Sequence, residues 1–235
     1  MISVLLASAA LASAAGWNSM APRSQLYGHT FIGLDKASRL LALTYDDGPN
    51  ETSTRPLLEV LARHDVRATF FMIGRHASCR PEIAREVAEA GHVIGNHTYT
   101  HPNLIFSSRA RLQSQLDECD HVLTDAVGEH SKLFRPPFGG RRPDVLSAIR
   151  RRGYIPVMWS VSAYDWNSDP PEVIERKVAR QVRGGDVILM HDGGHVDMGI
   201  DRSASVEATD RLIRRYKNEG FRFVTVPEMM EEGIR

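Results

Sequence analysis

The sequence predicts an α/β fold, a parallel sheet with helices packed outside it. Three observations carry this. Beyond Leu40, short apolar runs alternate with longer amphipathic segments, the order that repeated strand–helix units require. Gly91, Gly128, Gly153, Gly184 and Gly220 each close a helix candidate, where a left-handed C-cap is wanted. A chain of 235 residues suits one large core, and a single α/β barrel fits that length.

In chain order the apolar runs give strand candidates at Leu41–Tyr45, Ala68–Ile73, His92–Gly95, Leu133–Arg135, Ile155–Trp159, Asp186–Met190 and Phe221–Thr225. Helix candidates lie between them at Arg55–His64, Pro81–Ala90, Ser108–Val127, Arg142–Arg151, Pro171–Val182 and Val206–Asn218. Pro81 and Pro171 stand where a first helical turn tolerates proline. Seven strands argue against a closed eight-fold barrel. No internal repeat, low-complexity tract or interdomain linker interrupts the pattern.

Apolar residues make up 42% and charged residues 25%, ordinary for a globular domain. The 29 basic and 29 acidic residues cancel, and no Lys/Arg run is present, which argues against nucleic acid as a partner. Residues 1–22 are apolar and small, with no charge before Arg23. This segment reads as a signal peptide with an Ala-Ser-Ala cleavage site near Ala14, as the end of a membrane anchor, or as a loosely packed N-terminal helix. Cys79 and Cys119 sit in no C-x-x-C pattern. Cys119 falls inside a helix candidate and reads as a core residue, and their pairing is left open.

Chemistry concentrates at two places. In Thr44-Tyr45-Asp46-Asp47-Gly48-Pro49, two adjacent carboxylates end the first strand, and Gly48-Pro49 turns the chain away. Neighbours on a strand point to opposite faces, so both acids serve one site only if the chain leaves the strand there. Like charges side by side call for protons or a metal ion between them. In His97-Thr98-Tyr99-Thr100-His101-Pro102, the histidines share one face of a helical turn. Pro102 disfavours helix at His101, so the segment is one turn or a tight loop. Two His, one carboxylate and a position left for water form a catalytic metal pattern.

With Arg135-Pro136-Pro137-Phe138-Gly139, Asp165-Trp166 and Leu189-Met190-His191, these motifs stand in the order that resembles the polysaccharide deacetylase family, the NodB-homology or carbohydrate esterase family 4 enzymes. The resemblance runs from about Leu40 to about Thr225. It implies a distorted (β/α)-barrel of seven strands with the site at the strand C-terminal ends, where all five motifs fall on the strands assigned above. It also implies residues 23–235 as the catalytic domain.

The activity implied is metal-dependent hydrolysis of N-acetyl groups from N-acetylglucosamine-containing polysaccharide, peptidoglycan or chitin-like, outside the cytoplasm. Asp47, His97 and His101 would hold one divalent ion. Zinc fits this set, and cobalt, nickel or manganese fit nearly as well. The ion would polarise the carbonyl and lower the pKa of its bound water, the nucleophile. By resemblance Asp46 is the general base, oriented by Arg135, and His191 is the general acid, paired with Asp165. The backbone N–H of Phe138 would help stabilise the oxyanion, and Trp166, Leu189 and Tyr45 would line an acetyl pocket. Asp192 and His195, in the Gly-rich stretch after His191, read as solvated loop residues, with contact to substrate as the alternative. Ser162 departs from the family, which often has Asp there, and leaves hydrogen bonding near the rim open. The partners expected are a carbohydrate polymer or oligosaccharide and no nucleic acid, with membrane association through the N-terminal segment as an alternative; the chain is expected to be a monomer. Two other readings stay open: removal of formyl or another small acyl group from a lipid-linked amino sugar, and an inactive carbohydrate-binding domain.

Overall fold

The computed structural model describes residues 16–234. Among the described residues eight strands, all pairing in parallel, form one curled sheet: β1 (Leu40–Asp46), β2 (Thr69–Met72), β3 (Val93–Asn96), β4 (Leu133–Phe134), β5 (Ile155–Pro156), β6 (Val161–Ser162), β7 (Asp186–His191) and β8 (Arg222–Phe223). Their order is β5-β4-β3-β2-β1-β7-β6, with β8 pairing the start of β1. The fifth candidate run contributes only two residues before bending, and the chain resumes as β6, so the sheet has one short strand more than the apolar runs suggest.

The central strand β1 is buried throughout, as a strand covered on both faces must be. Leu41, Leu43 and Tyr45 point to the helices and pack with Phe70 and Met72. Leu40 and Ala42 point the other way, to Phe71, Val157 and Val187 inside the barrel. By the period-two rule Thr44 and Asp46 share that interior face.

Around the sheet lie α1 (Thr54–Arg63), α2 (Gly74–Cys79), α3 (Pro81–Glu89), α4 (Arg109–Val127), α5 (Pro143–Arg151), α6 (Pro171–Gln181), α7 (Ser203–Asn218) and α8 (Val226–Glu232). Their apolar stripes carry the packing: Leu57, Val60 and Leu61 on α1, Ile83, Ala84 and Val87 on α3, and Val145, Leu146 and Ile149 on α5. Prolines open α3, α5 and α6. Gly91, Gly128, Gly153, Gly184 and Gly220 all take positive φ. The sequence pattern does not reveal α2 or α8. The first lacks an apolar period, and the second is a short turn nucleated by a capping box between Thr225 and Glu228.

Of residues 1–22, read as a signal peptide or membrane anchor, residues 1–15 lie outside the described residues. Residues 16–20 are helical, and Ser19 is buried against the domain. Among the described residues no helix is long and apolar enough to cross a membrane. Cys79 is exposed and Cys119 buried, and both are free thiols.

Candidate active site

Strand register assembles the site. β1 and β7 pair with Asp46 opposite His191, and β3 and β4 pair with Asn96 opposite Phe134. His97 and Arg135 therefore emerge side by side, one residue beyond their strands. His97 Nδ1–H donates to the Arg135 carbonyl at 2.7 Å, which turns Nε2, the nitrogen left to ligate in the neutral ring, toward Asp47.

Asp47 leaves the strand in the left-handed region at φ 73°, so its carboxylate joins the same site as that of Asp46. Its Oδ1 lies 3.6 Å from His97 Nε2 and 3.3 Å from His101 Nε2. His101 is placed by a tight loop rather than a helical turn, with φ 69° at Thr98 and 57° at His101. Gln115 of α4 holds that loop by accepting the Thr100 N–H at 2.8 Å.

One ligand atom from each of Asp47, His97 and His101 lies within 4.8 Å of the others. Buried Asp47 Oδ1 has no hydrogen-bond partner. A buried carboxylate oxygen without a partner, faced by two imidazole nitrogens beyond good hydrogen-bond range, fits a divalent cation. Burial raises the Asp47 pKa, but the imidazoles around it, His195 with Nδ1 3.8 Å from Oδ2 and then His101, His191 and His97, override it and hold the acid well below its ordinary value. Burial, with the His97 imidazole beside it, pushes His101 down to about 2, so its ring is neutral and free to ligate.

Asp46 takes a different partner. Arg135 Nη1 donates to Asp46 Oδ1 at 2.7 Å and to Thr44 Oγ1 at 2.8 Å. The buried guanidinium also donates to the carbonyls of Val157 and Met158 and stacks 4.2 Å from the Phe71 ring centroid. Its position is fixed on every side, and so is the carboxylate it holds.

Across the site, His191 Nδ1–H donates to Asp165 Oδ1 at 2.8 Å. Asp165 Oδ2 accepts from the His191 backbone N–H and from Ser205 Oγ, both at 2.8 Å. Burial alone would lower His191, but the Asp165 charge and hydrogen bond, helped by Asp47 and Asp46, push it up to about 9.

Asp46, Asp47, His97, His101 and His191 line a cavity of about 620 Å³. Trp166, Leu189 and Phe138 form apolar parts of its wall, and Trp166 meets His191 edge-on at 5.4 Å. Phe138 adopts φ 58° and ψ 9°, an uncommon conformation for an aromatic residue. Tyr45 is a correction. It faces the helices, stacks on Phe70 at 5.2 Å, and its hydroxyl hydrogen-bonds Thr209 Oγ1 at 2.9 Å, because strand alternation sends it opposite to Asp46.

Of the two loop residues, Asp192 departs from the solvated reading, and His195 takes a place that suits the alternative one. Asp192 is buried and accepts from Thr54 Oγ1 at 2.6 Å, and burial pushes its pKa up to about 7. His195 is partly exposed but forms cavity wall, stacked on His101 at 4.6 Å. Ser162 is buried in β6, with its backbone bonded to the Gln181 amide rather than exposed on a rim. Sequence reasoning also missed Thr44, Ser205 and Arg202, whose Nη1 donates to the Asp165 carbonyl at 3.3 Å.

A parallel α/β barrel that gathers its buried charged groups at the carboxyl ends of its strands has the architecture of an α/β-barrel enzyme. The chain belongs to the polysaccharide deacetylase family, an enzyme family whose sequence model matches residues 34–157. It is 37% identical over 208 residues to a peptidoglycan-N-acetylglucosamine deacetylase of Bacillus cereus, covering 87% of this chain and 73% of the relative. It is 38% identical over 192 residues to a chitooligosaccharide deacetylase of Sinorhizobium fredii, covering 79% of this chain and 89% of the relative. The fold superposes with TM-score 0.78, at 36% identity, on a crystal structure of a peptidoglycan N-acetylglucosamine deacetylase in complex with 4-naphthalen-1-yl-N-oxidanyl-benzamide; the match covers 85% of this chain and 91% of that one.

Proposed function

We propose that this protein is a metal-dependent N-deacetylase of N-acetylglucosamine-containing glycans, peptidoglycan or chitin-like. The observation that carries the reading is the juxtaposition of Asp47, His97 and His101 within 4.8 Å, flanked by the Asp46–Arg135 and His191–Asp165 pairs. The relatives named above act on glycans that share N-acetylglucosamine. The ligand of the related crystal structure is a hydroxamic acid, a metal-chelating group.

Asp47, His97 and His101 are the residues that would hold the ion. Zinc suits two imidazoles and a carboxylate, and cobalt, nickel or manganese are close alternatives. When bound, the ion supplies Lewis-acid polarisation of the amide carbonyl and lowers the pKa of water at the site.

The chain's own residues do the rest. Asp46, oriented by Arg135, takes a proton from the attacking water as its oxygen bonds to the acetyl carbon. The backbone N–H of Phe138 helps stabilise the charge that develops on the carbonyl oxygen. With Nδ1 committed to Asp165, His191 presents Nε2–H to the amide nitrogen and donates that proton as the carbon–nitrogen bond breaks. Acetate and a free amine leave. Trp166 and Leu189 enclose the acetyl methyl and exclude water from it. The polymers concerned place the enzyme outside the cytoplasm, at the cell envelope.

The test is acetate release from chitin oligomers, peptidoglycan and acetylxylan by metal-free and metal-restored protein. Release from the N-acetylglucosamine substrates only after metal is restored is expected. Binding of chitin oligomers without acetate release by metal-loaded protein would overturn the proposal.

A further inference from the structure

The sheet does not close on itself: β5 and β6 do not pair. The chain before β1 enters this seam. The Phe31 N–H donates to the Pro156 carbonyl at 2.9 Å, and Phe31 accepts the Met158 N–H at 2.7 Å. The Leu34 N–H donates to the Gly185 carbonyl at 2.7 Å. Nearer the site, Arg23 Nη2 donates to the Ser160 carbonyl at 2.6 Å, between β5 and β6. The segment at 16–24 then crosses to the loop that carries Phe138, and Met20 forms part of the cavity wall with Gly139 and Trp159.

Arg141 makes that crossing. Its backbone N–H donates to the Ser19 carbonyl at 3.0 Å. Its guanidinium donates to the carbonyl of Gly139 at 3.0 Å, to that of Ser24 at 2.9 Å, and to that of Ala21. Arg141 is 1% exposed, and burial pulls its pKa down. Burying a guanidinium on neutral carbonyls is costly, since only hydrogen bonds offset the lost hydration. A planar fork that joins two loops at once is what this arginine provides and an apolar residue would not.

We propose that residues 17–24 form a fixed strap completing the cavity wall, with Met20 as a specificity-determining residue for the sugars flanking the reacting one and Arg141 as the positioning residue that seats the strap. The strap side presents Met20, an apolar, adaptable side chain that is 42% exposed, and no acid or base. Its contacts therefore fall on parts of the substrate away from the reacting amide. The identity of the ligand rests on the deacetylase reading; the strap does not.

Two measurements on the full chain separate these parts. Hydrogen exchange reports the strap. The amides of Ala21 and Ser24, bonded to the carbonyls of Trp17 and Ala21, are protected in the native protein. Arg141→Gln speeds their exchange at least about tenfold with bound metal unchanged, and Arg141→Lys restores part of the protection. Free exchange of these amides in the unsubstituted protein would overturn the strap whatever the enzyme does.

The second measurement uses Met20→Ala, which removes an exposed side chain and leaves the core intact should Arg141→Gln fail to fold. It weakens KM, and the calorimetric Kd, for the N-acetylglucosamine tetramer about tenfold, the worth of burying roughly half a Met side chain. The disaccharide loses no more than about twofold. Equal losses on both substrates, or none on the tetramer, would overturn the specificity role. The calorimetric arm decides this even if no substrate is turned over.

Discussion

Asp165→Asn tests the proposed role of His191 as the general acid. Asp165 Oδ1 lies 2.8 Å from His191 Nδ1 and also fixes the ring through the His191 backbone N–H. Asparagine keeps an oxygen that accepts from Nδ1 but removes the charge. Unit charges about 4 Å apart attract by roughly 4 kcal/mol at an effective dielectric of about 20, or about three pKa units at 1.4 kcal/mol each. The retained hydrogen bond and the charges of Asp47 and Asp46, which also raise His191, hold the expected fall to about two units from its value of about 9. His191 must be protonated to donate, so the alkaline limb of the kcat/KM profile moves to lower pH by about two units, while the acid limb moves less. A dication beside Asp47 lowers His191 in both proteins alike, so the difference between the two profiles is what reports Asp165. The assay is acetate release from a chitin oligomer at fixed saturating metal across pH 5–10. An alkaline limb that moves by less than about 0.3 unit would refute both the pairing argument and the choice of His191 as acid.

The other pairings predict distinct phenotypes. Asp46→Asn retains the metal but loses roughly two to four decades in kcat, the usual worth of a general base; near-normal turnover in steady-state kinetics would move the base elsewhere. Arg135→Met leaves Asp46 without its buried counter-charge and costs about 3–5 kcal/mol in denaturant unfolding; a loss below about 1 kcal/mol would show that the pair is not buried as described. Tyr45→Phe removes a hydrogen bond to Thr209 on the helix side of β1. It lowers stability by about 1 kcal/mol and leaves kcat/KM within about twofold, whereas a tenfold kinetic loss would return Tyr45 to the cavity.

The parts of the fold legible in the sequence are those set by local pattern. β1, β2 and β7 read as apolar runs because both faces are covered, and the positive-φ glycines mark helix ends through their lack of Cβ. Val161–Ser162 is too short to make a run, and Gly74–Cys79 has no apolar period, so neither was visible. In the site, the motif acids and histidines were legible because they fall in short motifs at or within five residues of strand ends. Ser205 was not, since it reaches Asp165 from α7 across 40 residues of sequence. Tyr45 was misplaced by grouping it with its motif neighbours, although a strand sends neighbours to opposite faces. Asp192 was read as solvated because its loop is glycine-rich. Glycines on both sides of the contact instead allow close packing: a Cβ at Gly193 would stand 2.2 Å from the Asp47 carbonyl oxygen, and one at Gly48 2.2 Å from Asp192 Oδ2.

The central claim is that Asp47, His97 and His101 hold the ion on which amide hydrolysis depends. The most direct measurement is metal stoichiometry by elemental analysis, made beside acetate release on the same samples of the unsubstituted protein, His97→Ala, His101→Ala and Asp46→Asn. The account predicts metal and activity lost together in the two histidine variants, and metal retained with activity lost in Asp46→Asn. Unchanged metal in both histidine variants, or full acetate release from metal-free protein, would contradict it.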